Sequence, residues 1–252
     1  MMKKGKTLLA VLLMLISVVA SASVKIVPEP VEIHEYSGKF TLPSEVTISD
    51  FRDGKMVDTY IELSSKILKT KGVALKKGGK NSTVKLSISK KIKGEGEYII
   101  EVGKRDIRIQ AADEDALWCG LQTLTQLLSQ GVDRQMVIRD EPRFGYRGAM
   151  LDCCRHFFSV EDVKSFIDMM AVHKLNRFHW HLTEDQGWRI EIKKYPRLTE
   201  IGSVRESTYM TNYSGEQCDS FVDKPYGGFY TQDDIREIVK YAQDRHIVTI
   251  PE

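Results

Sequence analysis

The spacing of apolar and polar positions changes character near residue 140. Before that point Val46–Ile48, Thr83–Ser87, Tyr98–Val102 and Asp106–Gln110 read as short strands, the later ones alternating apolar and polar. Two helices sit among them. One runs from about Asp58 to Lys71 and stops at Gly72. The other opens on Asp113 as N-cap, carries Leu117, Gly120, Leu121, Leu124, Leu127 and Leu128 on one stripe, and ends at Gly131. Mixed strands with two helices predict a small α+β domain over residues 23–142, with nothing catalytic in its residue types.

Past the junction Arg139–Tyr146 (RDEPRFGY) the rhythm becomes strand, helix, strand, helix, strand. Gly148–Cys153, Asn176–Leu182 and Ile247–Ile250 are the strands. The helix between the first two opens on a capping pattern, Ser159 with Asp162, and continues through Val163, Phe166, Ile167, Met170 and Ala171. The next repeats it, with Thr231 and Asp234 ahead of Ile235, Ile238, Val239 and Ala242. This βαβ order predicts a parallel sheet. The connection from Thr183 to Tyr230 far exceeds the usual βα loop of about 2–6 residues. It follows the carboxyl end of a strand, where barrel active sites are built. Residues 143–252 therefore read as the first three β/α units of a (β/α)8 TIM barrel. A complete barrel takes about 250 residues, so the chain is expected to stop before closure, leaving an apolar strand edge unpaired.

The amino terminus adds a destination. Met1–Lys6 carries three lysines, Leu8–Val19 is almost wholly apolar, and Ala20-Ser21-Ala22 has the small-x-small form of a cleavage site. Residues 1–22 are thus expected to be a signal peptide cleaved near Ala22, with a periplasmic or extracellular product and no membrane span after its removal. The formal net charge of +2 argues against a nucleic-acid partner. Lysines cluster from Lys66 to Lys93 and read as a solvated face. The four cysteines have no CxxC spacing; Cys119, Cys153 and Cys154 read as small buried hydrophobes, and Cys218 as a loop residue.

Candidate chemistry gathers on the first two strands of the second half. Asp152 lies within the first and Arg155 just past its end. The guanidinium fork suits two adjacent sugar hydroxyls, and equally a structural ion pair with Asp152. On the second strand His179 and His181 share a face, which Thr183 and Asp185 continue if the strand extends. That His-x-His fits either a metal pair or an inward-facing polar network. Trp188 fits a sugar-stacking wall or simple packing. Asp113-Glu114 and Asp140-Glu141 follow no barrel strand and are not a catalytic pair.

RGAMLDCCRHFF and FHWHLTEDQGWR together resemble the first two barrel strands of the β-N-acetylhexosaminidases of glycoside hydrolase family 20. The terminal IVTIPE is similar to their third strand, and the VPEP start and QTLTQLL helix resemble the small α+β domain that precedes the barrel. The resemblance runs from about Val24 to Glu252. It implies that Arg155 grips hydroxyls of the non-reducing terminal sugar and that Asp185 supports the hydrogen-bond network. Glu184 stands where Asp is frequent, and His179, His181, Trp188 and Glu252 take supporting roles. It implies glycans ending in N-acetylglucosamine or N-acetylgalactosamine, no cofactor and no metal. It also implies retaining catalysis in which the substrate's acetamido oxygen is the nucleophile. The Asp-Glu pair that positions the acetamido group and protonates the leaving oxygen is expected beyond Glu252, so the chain alone should be inactive. Two rival classes are a metal-dependent barrel hydrolase built on the His-x-His, and a non-catalytic fragment that binds glycans.

Overall fold

The computed structural model describes residues 24–209 and 221–252. The signal peptide expected over residues 1–22, and Cys218, lie outside the described residues.

The first half contains β1 (Glu32–Lys39), β2 (Glu45–Ser49), α1 (Lys55–Leu68), β3 (Ala74–Gly78), β4 (Val84–Ile88), β5 (Tyr98–Val102), β6 (Ile107–Ala111), α2 (Glu114–Ser129) and β7 (Arg134–Asp140). Its strands form one mixed sheet in the order β1-β7-β5-β6-β4-β2-β3. The alternation predicted for β5 and β6 is observed. Tyr98, Ile100, Val102, Ile107, Ile109 and Ala111 are buried, while Glu101, Arg108 and Gln110 face out. The two helices pack on the sheet and on each other. Asp113 caps α2 by accepting from the Ala116 N–H at 2.7 Å. Gly120 lets α2 approach closely: a Cβ there would lie 2.8 Å from Ile109 Cγ2. Sequence periodicity missed β1, β3 and β7. The first two are sheet edges with few buried side chains, so little hydrophobic signal is written into them. Asp140, assigned to the junction by sequence, instead closes β7.

The second half contains β8 (Gly148–Asp152), α3 (Val160–Val172), β9 (Arg177–His181), α4 (Gln232–Gln243) and β10 (Val248–Pro251). Its three strands form a parallel sheet in the order β8-β9-β10, with Met150, His179 and Ile250 side by side. Both helices open on full capping boxes, Ser159 with Asp162 and Thr231 with Asp234, as the sequence predicts. The helix side of the sheet is dry. Trp180 is fully buried, edge-on to Tyr230 at 4.8 Å, and donates its indole N–H to Cys153 Sγ at 3.1 Å. The other side exposes Met150, Val248 and Ile250.

The two halves share one apolar core and are tied by charge. Two residues with left-handed backbone, Lys174 and His246, each at φ 60°, follow α3 and α4 where glycine is usual. Each reaches back to the first half. The buried Lys174 ammonium donates to the Tyr98 hydroxyl at 2.8 Å and to Asp140 at 3.1 Å. His246 pairs with Asp115 at 2.6 Å and stacks on Trp118. No helix among the described residues is long and apolar enough to cross a membrane.

Candidate functional site

The carboxyl ends of β8, β9 and β10 bring Asp152, His181 and Glu252 to one edge. Strand β8 ends in a tight turn because the Asp152 carboxylate folds back on the chain. Its Oδ1 accepts from the N–H groups of Cys154 at 3.0 Å and Arg155 at 3.1 Å. Its Oδ2 accepts from Arg155 Nη1 at 2.5 Å. His181 Nδ1 stands 3.4 Å from Oδ1. Burial pushes the Asp152 carboxyl upward, but the hydrogen bonds and charge of Arg155, with His181 nearby, outweigh it and hold it below the usual carboxylate range.

Arg155 is therefore not a choice between ion pair and open fork. Its Nη1 faces Asp152, its Nη2 faces Glu184 Oε2 at 2.6 Å, and the side chain remains 44% exposed at the strand ends. The other oxygen of Glu184, Oε1, is buried with no hydrogen-bond partner among the described residues. Arg205 braces the loop from outside, donating to the backbone carbonyls of Arg155 and, at 3.2 Å, of Gln186.

The structure answers the condition attached to Thr183 and Asp185 just past β9. The strand stops at His181 and does not extend to Asp185. The chain reverses at Asp185-Gln186, pairing Thr183–Glu184 with Gly187–Trp188. That turn aims Glu184 at Arg155. Asp185 is exposed and lines a cavity of about 710 Å³ together with Trp188, Tyr195, Arg197 and Ile201. The Trp188 indole N–H donates to the Ile190 carbonyl at 2.8 Å, which fixes the ring half-buried on that wall. His179 and His181 do share a face, and His179 Nε2 meets Glu252 Oε2 at 2.5 Å.

Asp152, Cys154 and His181 place ligand atoms within 4.8 Å of one another, the only such grouping among the described residues. The Asp152 oxygens already hold three donors, and burial, with the negative charges of Asp152 and Glu184, pushes the Cys154 thiol up to about 12.

Arg189 closes the FHWHLTEDQGWR stretch, but its residue type and spacing do not reveal its role. Arg189 is 1% exposed and donates to four backbone carbonyls: Cys153 at 3.0 Å, Cys154 at 2.8 Å, Gly228 at 3.1 Å, and Ser203. These come from the turn after β8 and from the middle and the far end of the long connection.

The family profile for the glycosyl hydrolase family 20 catalytic domain matches residues 144–252, and that for domain 2 of the same family matches residues 23–141. The chain is 40% identical over 245 residues to a beta-hexosaminidase of Porphyromonas gingivalis, an alignment spanning 91% of this chain and 30% of that protein. It is 38% identical over 167 residues to the N,N'-diacetylchitobiase of Vibrio harveyi, covering 62% of this chain and 18% of that one. Among solved structures, the exo β-N-acetylglucosaminidase of Vibrio harveyi in complex with N-acetylglucosamine superposes with a TM-score of 0.76 at 33% identity, covering 90% of this chain and 35% of that one. The β-N-acetylhexosaminidase of Bacteroides fragilis gives a TM-score of 0.69 at 32% identity, covering 90% and 44%. The chain thus spans a third or less of the length of the curated relatives it matches. With both of the family's profiles matched in order along it, the chain belongs to glycosyl hydrolase family 20.

Proposed function

We propose that the whole protein is an exo-acting β-N-acetylhexosaminidase and that the Arg155 turn holds the terminal sugar of its substrate. The observation that carries this is the clamp on Arg155: one guanidinium held between Asp152 at the end of β8 and Glu184 just past β9, with its side chain 44% exposed. Such a group is held in place by two carboxylates and remains exposed. A sugar offers adjacent hydroxyls, each both donor and acceptor, so one can accept from Arg155 while donating to a carboxylate.

In this reading the three parallel strands belong to a (β/α)8 barrel whose later strands cover Met150, Val248 and Ile250. Residues 23–142 form the preceding α+β domain and residues 143–252 the start of the barrel. Residues 1–22 direct export and are removed near Ala22. The substrate is a glycan ending in N-acetylglucosamine or N-acetylgalactosamine. Its acetamido oxygen attacks the anomeric carbon as the glycosidic C–O bond breaks, and a Glu beyond residue 252 protonates the departing oxygen. The Asp preceding that Glu orients the acetamido group. Water then completes hydrolysis with retained configuration. Asp185, His179, His181, Trp188 and Glu252 support the sugar-facing network.

The test is Arg155→Ala in the protein expressed from its complete gene, assayed on an aryl N-acetyl-β-glucosaminide. A lost hydrogen-bonded grip on the substrate raises KM by roughly tenfold or more. An unchanged KM overturns the assignment of Arg155. The 252-residue chain alone should release no aryl alcohol.

A further inference from the structure

We infer that Arg189 is a positioning residue for Arg155, acting through two peptide planes that it shares with Asp152. The inference rests on the proposed role of Arg155.

The geometry is specific. The peptide joining Cys153 to Cys154 accepts at its carbonyl from Arg189 Nε and donates its N–H to Asp152 Oδ1. The next peptide, joining Cys154 to Arg155, repeats the arrangement, with Arg189 Nη2 on the carbonyl and Asp152 Oδ1 on the N–H. Two successive planes are thus gripped on one side by a cation and on the other by an anion. The second of those planes ends at the Cα of Arg155. Rotation of either one would swing the Arg155 side chain off the carboxylates that aim it.

The same guanidinium holds the far side of the site. Nη1 takes the carbonyls of Ser203 and Gly228, the flanks of the short ladder between Val204–Arg205 and Tyr226–Gly227. Arg205 on that ladder in turn donates to the Arg155 carbonyl. Arg189 therefore sets the spacing between the β8 turn and the loop that braces it. No carboxylate is among its acceptors, and burial, reinforced by the nearby Arg205 charge, lowers its pKa. A buried cation whose hydrogen bonds all go to carbonyls, with the Phe157 ring 5.9 Å away, is expensive. Packing alone would be met more cheaply by an apolar side chain, whereas three nitrogens in one rigid plane are what four carbonyls at fixed angles require. Lysine carries the charge but not the plane.

The test uses the protein expressed from its complete gene. Arg189→Lys, shown to be folded by circular dichroism, should raise KM for an aryl N-acetyl-β-glucosaminide about tenfold or more with a smaller change in kcat. Combined with Arg155→Ala it should add little further loss. Should Arg189→Lys not fold, Arg189→Ala supplied with guanidinium provides the same reading: KM recovers with guanidinium and not with ammonium. Wild-type KM in folded Arg189→Lys, full additivity with Arg155→Ala, or guanidinium restoring fold without KM each overturn the inference. If Arg155→Ala itself leaves KM unchanged, it is the sugar-binding role of Arg155 that fails.

Discussion

Asp152 binds Arg155 twice, through the backbone N–H at 3.1 Å and through the guanidinium at 2.5 Å. One carboxylate therefore fixes both where the arginine starts and where its head points. A side chain anchored at both ends has few rotamers left to lose when a ligand arrives, and preorganisation of this sort favours binding.

The same pair fixes a pH dependence. The Asp152 carboxyl ionises below its ordinary value, so its contribution to stability is complete above the unfolded value of about 3.9 and is lost as pH falls through the lower folded value. Acid unfolding followed by tryptophan fluorescence should be less steep below about pH 4 in Asp152→Asn than in wild type. Identical acid limbs would contradict the shift.

Lys174 and His246 share a strained backbone but should answer differently to glycine. In both, glycine relieves a left-handed conformation worth about 1–2 kcal/mol. Lys174→Gly also strands the Asp140 carboxylate in a site where the ammonium was 7% exposed, a loss of about 3–5 kcal/mol. His246→Gly gives up a pair with a well-exposed Asp115, worth at most about 1 kcal/mol, and a ring stack of similar size. Urea denaturation should therefore find Lys174→Gly clearly destabilised and His246→Gly within about 1 kcal/mol of wild type. The reverse order would refute the comparison.

Gly187 has no room for a side chain. A Cβ would lie 2.6 Å from both Arg189 Nη2 and the Cys154 carbonyl oxygen, atoms already bonded to each other. Gly187→Ala should lower stability by roughly 1–3 kcal/mol, and the thermal midpoint with it. A wild-type midpoint would mean the Arg189 cluster is looser than described.

Thiol labelling offers a check on the core. Burial pushes Cys119 up to about 11; for Cys154 it acts with Asp152 and Glu184 to reach about 12, and Cys153 is raised as well. At pH 8 a disulfide reagent should leave all three unmodified in the native protein and reach them only in denaturant. Rapid native labelling at any of the three would contradict their environment.

What the sequence revealed followed from how each feature is encoded. The two capping boxes and the shared face of His179 and His181 are local patterns, and they appear as read. Strands β1 and β3 were missed because edge strands bury little, and β7 because its alternation ends at the charged Asp140. Whether Asp185 continues the His179–His181 face depends on the strand extending, which periodicity alone does not settle. The reversal at Asp185-Gln186 depends on Gly187 fitting against the Cys154 carbonyl, a contact between distant segments. The role of Arg189 is not legible because its hydrogen bonds all go to backbone carbonyls, which every residue carries and no residue type advertises.

The most direct test of the central claim compares two substrates on the protein expressed from its complete gene: an aryl N-acetyl-β-glucosaminide and the aryl β-glucoside that lacks the acetamido group. The first should be turned over, with the β-anomer released initially, and the second negligibly. Comparable hydrolysis of both, or initial release of the α-anomer, would contradict that claim.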